Sequence, residues 1–207
     1  EVASRIIESG GQAEVQVCDV TDTPSIRKVI AQLPELDVLV NNAGTNIPEP
    51  IDVVTEEHLD QLLDLNTRAC FIVAQAAVKK MKEHPDRKTR GGSIINISSQ
   101  MGHIGSEFRT VYCMTKHAVV GLTRAMAIEL TSSGIRVNSI GPTFINTPLV
   151  RRVVDTPEKY NTLVSRIPMG RMGEVEDIAA AAVYLASPAA GMVTGAGLLV
   201  DGGWTAQ

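Results

Sequence analysis

In the segment VYCMTKHAVVG, Tyr112 and Lys116 stand four positions apart, which on a helix puts them on one face about one turn from each other. A cation that close favours phenolate over phenol and draws a group that normally titrates at about 10 toward a useful range. Tyr112 is then fitted to exchange a proton with an alcohol or a carbonyl as general acid or base. Ser99 lies thirteen positions earlier, at the tip of the strand-like run GSIINISS, where its hydroxyl and the phenol can meet at one carbonyl oxygen. Such a hydrogen-bonding pair suits a carbonyl becoming an alcohol. Of the adjacent Ser98 and Ser99, one has turn formation after the strand as its alternative use.

A fourth polar residue stands out by its surroundings. Leu59, Leu62, Leu63, Ala69, Cys70, Val73 and Ala77 repeat at three-and-four spacing and predict the buried stripe of a helix over 56–81. Asn66 falls inside that stripe. An unmet buried amide costs about 1–3 kcal/mol, so Asn66 either holds a water or a carbonyl with a purpose or fills a structural bond. His58, His84, His103 and His117 have no metal-ligand spacing, and no metal is expected. His103 follows the Ser99 loop and reads either as a pocket residue or as a loop histidine. Cys18, Cys70 and Cys113 lack CxxC spacing and read as small buried hydrophobes.

These side chains need a scaffold, and the chain supplies an alternating one. β-Branched runs (AEVQVCDV, LDVLVNNAG, GSIINISS, IRVNSIG, GLLVDGG) alternate with helical patterns: SIRKVIAQL, 56–81, 110–132 and EVEDIAAAAVYLAS. Alternation of this kind predicts βαβ units and a parallel sheet covered on both faces. The 207 residues suit one domain, and an apolar fraction of 44% with only 3% aromatics suits an Ala, Val, Ile and Leu core. A net charge of −4 offers no footprint for nucleic acid. No run is long and apolar enough for a membrane span, and the first residues lack a signal-peptide pattern, so a soluble, cytoplasmic protein is expected. In parallel sheets ligands bind beyond the carboxyl ends of the strands, where the strand order reverses. The residues there are Asp19 and Val20, Asn41 to Gly44, Ser98 to Gly102, and Gly141 to Thr147. The stretch 144–171 has Pro punctuation and amphipathic pieces but no strand, and reads as a substrate-covering lid. Its Arg151 and Arg152 read either as contacts for an anionic substrate or as a solvated helix face.

The blocks CDVTD, DVLVNNAG, Asn66, INISS, YCMTK, VNSIGPTFINTP, RIPMGRMGEVEDIA and GAGLLVDGG occur in an order and at a spacing that resemble the short-chain dehydrogenase/reductase family over essentially the whole chain. The resemblance implies a Rossmann-like doubly wound parallel sheet flanked by helices and an oxidoreductase using NAD or NADP. It implies that Tyr112 exchanges the proton, Ser99 steadies the carbonyl oxygen, Lys116 binds the nicotinamide ribose and lowers the tyrosine pKa, and Asn66 keeps a water in the relay. For the cofactor it implies Asp19 and Val20 at the adenine, Asn41, Ala43 and Gly44 along the adenosine side, and Pro142, Ile145 and Thr147 at the nicotinamide. Thr143 stands where the family usually has Gly. The substrate implied is a small secondary alcohol or ketone, a sugar or polyol, with 3-oxoacyl-carrier-protein reduction as the alternative. Epimerisation or dehydration by the same residues is a further one.

Family members begin with a strand, a Gly-rich turn, a helix and a second strand, and none of these precedes EVASRIIESGG. A βαβ unit takes about 30 residues or more, so the domain 1–207 is expected to be incomplete at its N-terminus, its first two strands absent. The opening residues then read as the tail of a crossover helix closed by Gly10 and Gly11, and AEVQVCDV as a strand without a sheet neighbour. On that reading a catalytically incompetent fragment or binding module is the competing function. The residue that selects NAD over NADP would lie in the part not present. Small residues Ala118, Gly121 and Ala125 on a long helix, together with the resemblance, imply a homotetramer, with LLVDGGW at a second interface.

Overall fold

The computed structural model describes residues 1–151 and 154–207, so Arg152 lies outside the described residues. Two helices, α1 (Val2–Glu8) and α2 (Thr23–Gln32), precede strand β1 (Val38–Asn41). From β1 the chain passes through α3 (Glu56–Leu63), a π turn (Asp64–Arg68), α4 (Ala69–Lys82) and the short α5 (Arg87–Arg90) to β2 (Gly92–Ile97). Helix α6 (Thr110–Leu130) leads to β3 (Ile135–Pro142); α7 (Pro148–Arg151), α8 (Pro157–Val164) and α9 (Val175–Ala186) lead to β4 (Gly197–Val200). The four strands are parallel, in the order β1-β2-β3-β4. Parallel neighbours require crossovers, and the helices provide them.

Strand alternation sends the isoleucines of β2 to both faces of the sheet, and its two polar residues, Ser93 and Asn96, are buried and hydrogen-bonded. Ile94 points to the side of α4 and α6, where it clusters with Met81, Ala127, Leu130, Ile135 and Val137. Ile95 points to the side of α9 and clusters with Ile140, Leu185 and Ala190. Both faces are therefore dry, and each fully buried aliphatic side chain contributes about 1.5–3 kcal/mol. Among the described residues, no helix is long and apolar enough to cross a membrane.

Three expectations change. Residues 11–19 form no strand, and Val15 and Val17 are 70% and 94% exposed. A strand is held by its ladder, and among the described residues nothing pairs with the outer side of β1. The helix predicted over 56–81 forms, but a π turn widens it around Asn66. Gly10 and Gly11 close α1 as expected, donating to the carbonyls of Ile7 and Ile6. Of the cysteines, Cys70 alone is buried; Cys18 and Cys113 are half-buried.

The segment 144–171 leaves the sheet and is pinned at its base. Gly173 N donates to Phe144 O at 3.0 Å and Asn146 N to Gly173 O at 2.8 Å. Arg151 is engaged within this base, its Nε donating to Asn146 Oδ1 at 2.7 Å, while the Asn146 amide donates to Glu174. Glu174 and Asp177 form a capping box that starts α9. The buried Trp204 sits against Phe144 at 5.7 Å and under the Arg166 guanidinium at 4.6 Å.

At the opposite end of the sheet Arg87 is 4% exposed. It donates to Met81 O and Leu36 O at 2.8 Å each, to Gly91 O, and to Asp37 Oδ1 at 2.8 Å. It thereby joins the end of α4 to the starts of β1 and β2. Arg87→Met takes this donor from three carbonyls and leaves Asp37 with Arg90 as its remaining partner. An expected loss of about 3 kcal/mol, read as a lower midpoint in urea unfolding, follows from that.

Candidate active site

A cleft of about 400 Å³ opens at the carboxyl ends of the strands. Its walls include Gly44 from the loop after β1, Ser99 after β2, Tyr112 and Lys116 from α6, and Pro142, Ile145 and Thr147 after β3. These seven were expected from the sequence, and the parallel sheet brings them together because every crossover returns the chain to the same edge.

Lys116 is 5% exposed and bonded at both ends. Its Nζ donates to Ile97 O at 3.0 Å, and its own carbonyl accepts from Ser98 Oγ at 3.0 Å. Ser98 is thus the structural serine of the pair. Gly102 is required beside it, since a Cβ there would lie 2.5 Å from Ser98 Oγ and 2.8 Å from Lys116 O. Ser99 caps the short turn Gln100–Gly102, its Oγ accepting from Met101 N at 3.1 Å.

The electrostatics differ from the simple expectation of a cation lowering a phenol. Lys116 Nζ lies 5.6 Å from the centre of the Tyr112 ring. Burial pushes the Tyr112 phenol above its usual value, against the downward pull of the Ser99 hydroxyl and Arg109. Burial also pushes the Lys116 ammonium down, to about 8, with Cys70 opposing. The Cys70 thiol is itself raised to about 11 by burial. In this arrangement Tyr112 is a protonated phenol at neutral pH, placed to give a proton away.

Asn66 is 1% exposed, and its side chain is hydrogen-bonded at both ends. Its Oδ1 accepts from Thr45 N at 2.8 Å, and its Nδ2 donates to Thr45 O at 2.8 Å and to Thr115 Oγ1 at 3.2 Å. The side chain fills structural bonds and clamps the loop after β1. π Turns recur at functional sites, and here one carries the clamp.

Several expected residues lie outside the cleft walls. Asp19 is exposed and accepts from the Thr21 amide and hydroxyl, which hold its carboxyl below the usual range. Val20 is half-buried, and Ala43 is exposed. Asn41 is buried, donating to Cys70 O at 2.8 Å. His103 is not in the cleft; its ring packs against Gly197, and burial lowers its pKa. The cleft in turn includes Asn42, Thr143 and Val150, which lie in the strand-end and lid runs the sequence marks, and Thr45, Asn46, Val175 and Ile178, which lie outside those runs. Asn42 and Thr143 sat inside motifs already singled out; Val175 and Ile178 belong to α9 and carried no local signal. Among the described residues no His, Cys, Asp and Glu side chains group to hold a metal ion.

Comparison with known proteins gives one consistent picture. The family model described as Enoyl-(Acyl carrier protein) reductase matches residues 1–205. D-threitol dehydrogenase of Mycolicibacterium smegmatis is 38% identical over 91% of this chain and 72% of its own. The 3-oxoacyl-(acyl-carrier-protein) reductase FabG of Thermotoga maritima is 37% identical over 93% of this chain and 77% of its own. The crystal structure of a gluconate 5-dehydrogenase from Burkholderia cenocepacia, in complex with NADP and tartrate, superposes with a TM-score of 0.92 at 34% identity, covering 100% of this chain and 80% of that one.

The buried ammonium makes a checkable statement about stability. Lys116 titrates at about 8 in the folded protein against 10.5 for the free side chain, so between these values the unfolded chain holds the extra proton. Stability from this group therefore rises with pH across that window and is flat below it. Thermal unfolding of the parent and of Lys116→Met, compared from pH 7 to 10, is expected to show the parent gaining on the variant only above pH 8.

Proposed function

Because the chain belongs to the short-chain dehydrogenase/reductase family, and so is an NAD(P)-dependent oxidoreductase of alcohols and ketones, we propose that its substrate is a sugar or polyol and that Tyr112 carries the proton. The observation that carries this reading is the shared cleft: phenol, hydroxyl and ammonium of Tyr112, Ser99 and Lys116 line one wall at the ends of β2 and α6. In the direction of reduction the protonated Tyr112 gives its proton to the carbonyl oxygen, which Ser99 holds by a hydrogen bond; in oxidation it takes the proton back. Lys116, fixed to Ile97 O, keeps positive charge beside the phenol, which favours the phenolate left behind.

The residues present fit a nicotinamide cofactor. Gly44 leaves open a space in which a Cβ would meet Asn66 Oδ1 at 3.1 Å and Lys116 Nζ at 3.5 Å. Two oxygens of the cleft residues, Asn46 Oδ1 and Thr143 Oγ1, are buried without a hydrogen-bond partner among the described residues. Gly44, Pro142, Ile145, Thr147 and Lys116 would hold the nicotinamide half, and Asp19, Val20, Asn41 and Ala43 belong to the adenosine side by family position. When bound, the cofactor supplies or accepts the hydride.

The substrate class rests on the likeness to D-threitol dehydrogenase and gluconate 5-dehydrogenase. The likeness to the 3-oxoacyl reductase supports that activity as a second reading. The segment 144–171, pinned at Phe144 and Gly173, is read as the lid, and a reaction drawing on NAD(P) as cytoplasmic. A homotetramer is supported by the exposed Phe71, Met114 and Ile128 on α4 and α6 and by the open surface at Gly121.

Tyr112→Phe removes the transferable proton and little volume. Turnover of a panel of polyols and ketones, followed at the nicotinamide absorbance, is expected to fall by about 10³-fold or more, with cofactor affinity by fluorescence titration unchanged within about threefold. Undiminished turnover would remove Tyr112 from the proposed role.

A further inference from the structure

Thr115 sits between Tyr112 and Lys116 in the sequence and is fully buried. Its hydroxyl is the middle of a directed chain of hydrogen bonds. Asn66 Nδ2 donates to Thr115 Oγ1 at 3.2 Å, and Thr115 Oγ1 donates to Tyr112 O at 2.8 Å. Upstream, the same Asn66 amide grips both backbone groups of Thr45, a residue of the cleft wall. The chain thus runs from the loop after β1, through the π turn, to the backbone of Tyr112.

We propose that Thr115 is a positioning residue: its hydroxyl couples the Thr45 loop to the backbone of Tyr112 and fixes how the proton-carrying phenol faces the rest of the cleft. A hydroxyl suits this task because one group accepts from Asn66 and donates to Tyr112 at once. Bonds in such a series polarise one another, and the buried donor left behind by a deletion has no water to turn to. The Ser98 hydroxyl, by contrast, ties Lys116 and has no bond to the Asn66 clamp. The inference rests on Tyr112 as the proton carrier, and the test separates the two.

Thr115→Val keeps the shape and removes the hydroxyl; Thr115→Ser keeps the hydroxyl and removes a methyl. For Thr115→Val, kcat is expected to fall about tenfold or more with KM for the alcohol within about threefold; Thr115→Ser is expected to retain at least about a third of the parent kcat. Amide hydrogen exchange at Thr45, which needs no substrate, is expected to quicken about tenfold in the Val variant and within about threefold in the Ser variant. Unchanged Thr45 exchange in Thr115→Val overturns the coupling, whatever kcat does. So does a Ser variant that falls as far as the Val variant, because the methyl would then be the part that matters. Should Thr115→Val not fold, Thr115→Ala carries the same comparison. An active Tyr112→Phe would remove the role of Tyr112 and leave the exchange measurement to decide that of Thr115.

Discussion

The two-ended hold on Lys116 is the constraint on which the cleft depends. The side chain is fastened to Ile97 O, the backbone is fastened by Ser98 Oγ, and both partners belong to the last turn of one strand and its exit. Helix α6 therefore cannot slide along β2 without breaking both bonds. Ser99 follows directly, and Tyr112 precedes Lys116 by one helical turn, so their separation is set by the same fastening. The contact is close enough that Gly102 alone fits beside it. Packing gives α6 and β2 their general arrangement; the hydrogen bonds choose one register within it.

This hold carries an energetic cost. An ammonium without a carboxylate partner among the described residues is buried beside a phenol and a thiol, and all three groups shift toward their neutral forms. Such concentrated departures are characteristic of sites shaped for chemistry rather than stability. The structural end of the sheet follows the opposite policy: Arg87, equally buried, has Asp37 and three carbonyls around it. One chain thus contains a satisfied cation far from the cleft and a stressed one within it. That contrast marks the functional edge without reference to any relative.

Much of this was legible in the sequence because periodicity and strand ends are local properties. The runs 38–41, 92–97 and 135–142 and the helix 110–130 lie where their patterns place them. Tyr112, Lys116 and Ser99 share a cleft because a parallel sheet sends all its strand ends one way. AEVQVCDV has the propensity of a strand and, as expected, no sheet neighbour; without a ladder the propensity alone does not form a strand. The direction of the Tyr112 shift was misread because spacing reveals the nearby charge and not the burial that outweighs it. The partners of Asn66 joined positions twenty-one and forty-nine residues apart, and no local pattern encodes such distances.

The π turn at Asp64–Arg68 bears on how this chain can change length. An α-helix advances about 100° per residue, so removing one residue from that turn would restore an uninterrupted helical ladder at little cost to the backbone. The same deletion would rotate one half of the helix against the other and take Asn66 off Thr45 or the Ala69–Met81 stripe off the sheet. The extra residue is therefore the backbone's most dispensable one and the cleft's least dispensable. Shortening here would keep the helical ladder and lose either the wall of the site or the packing of α4 on the sheet.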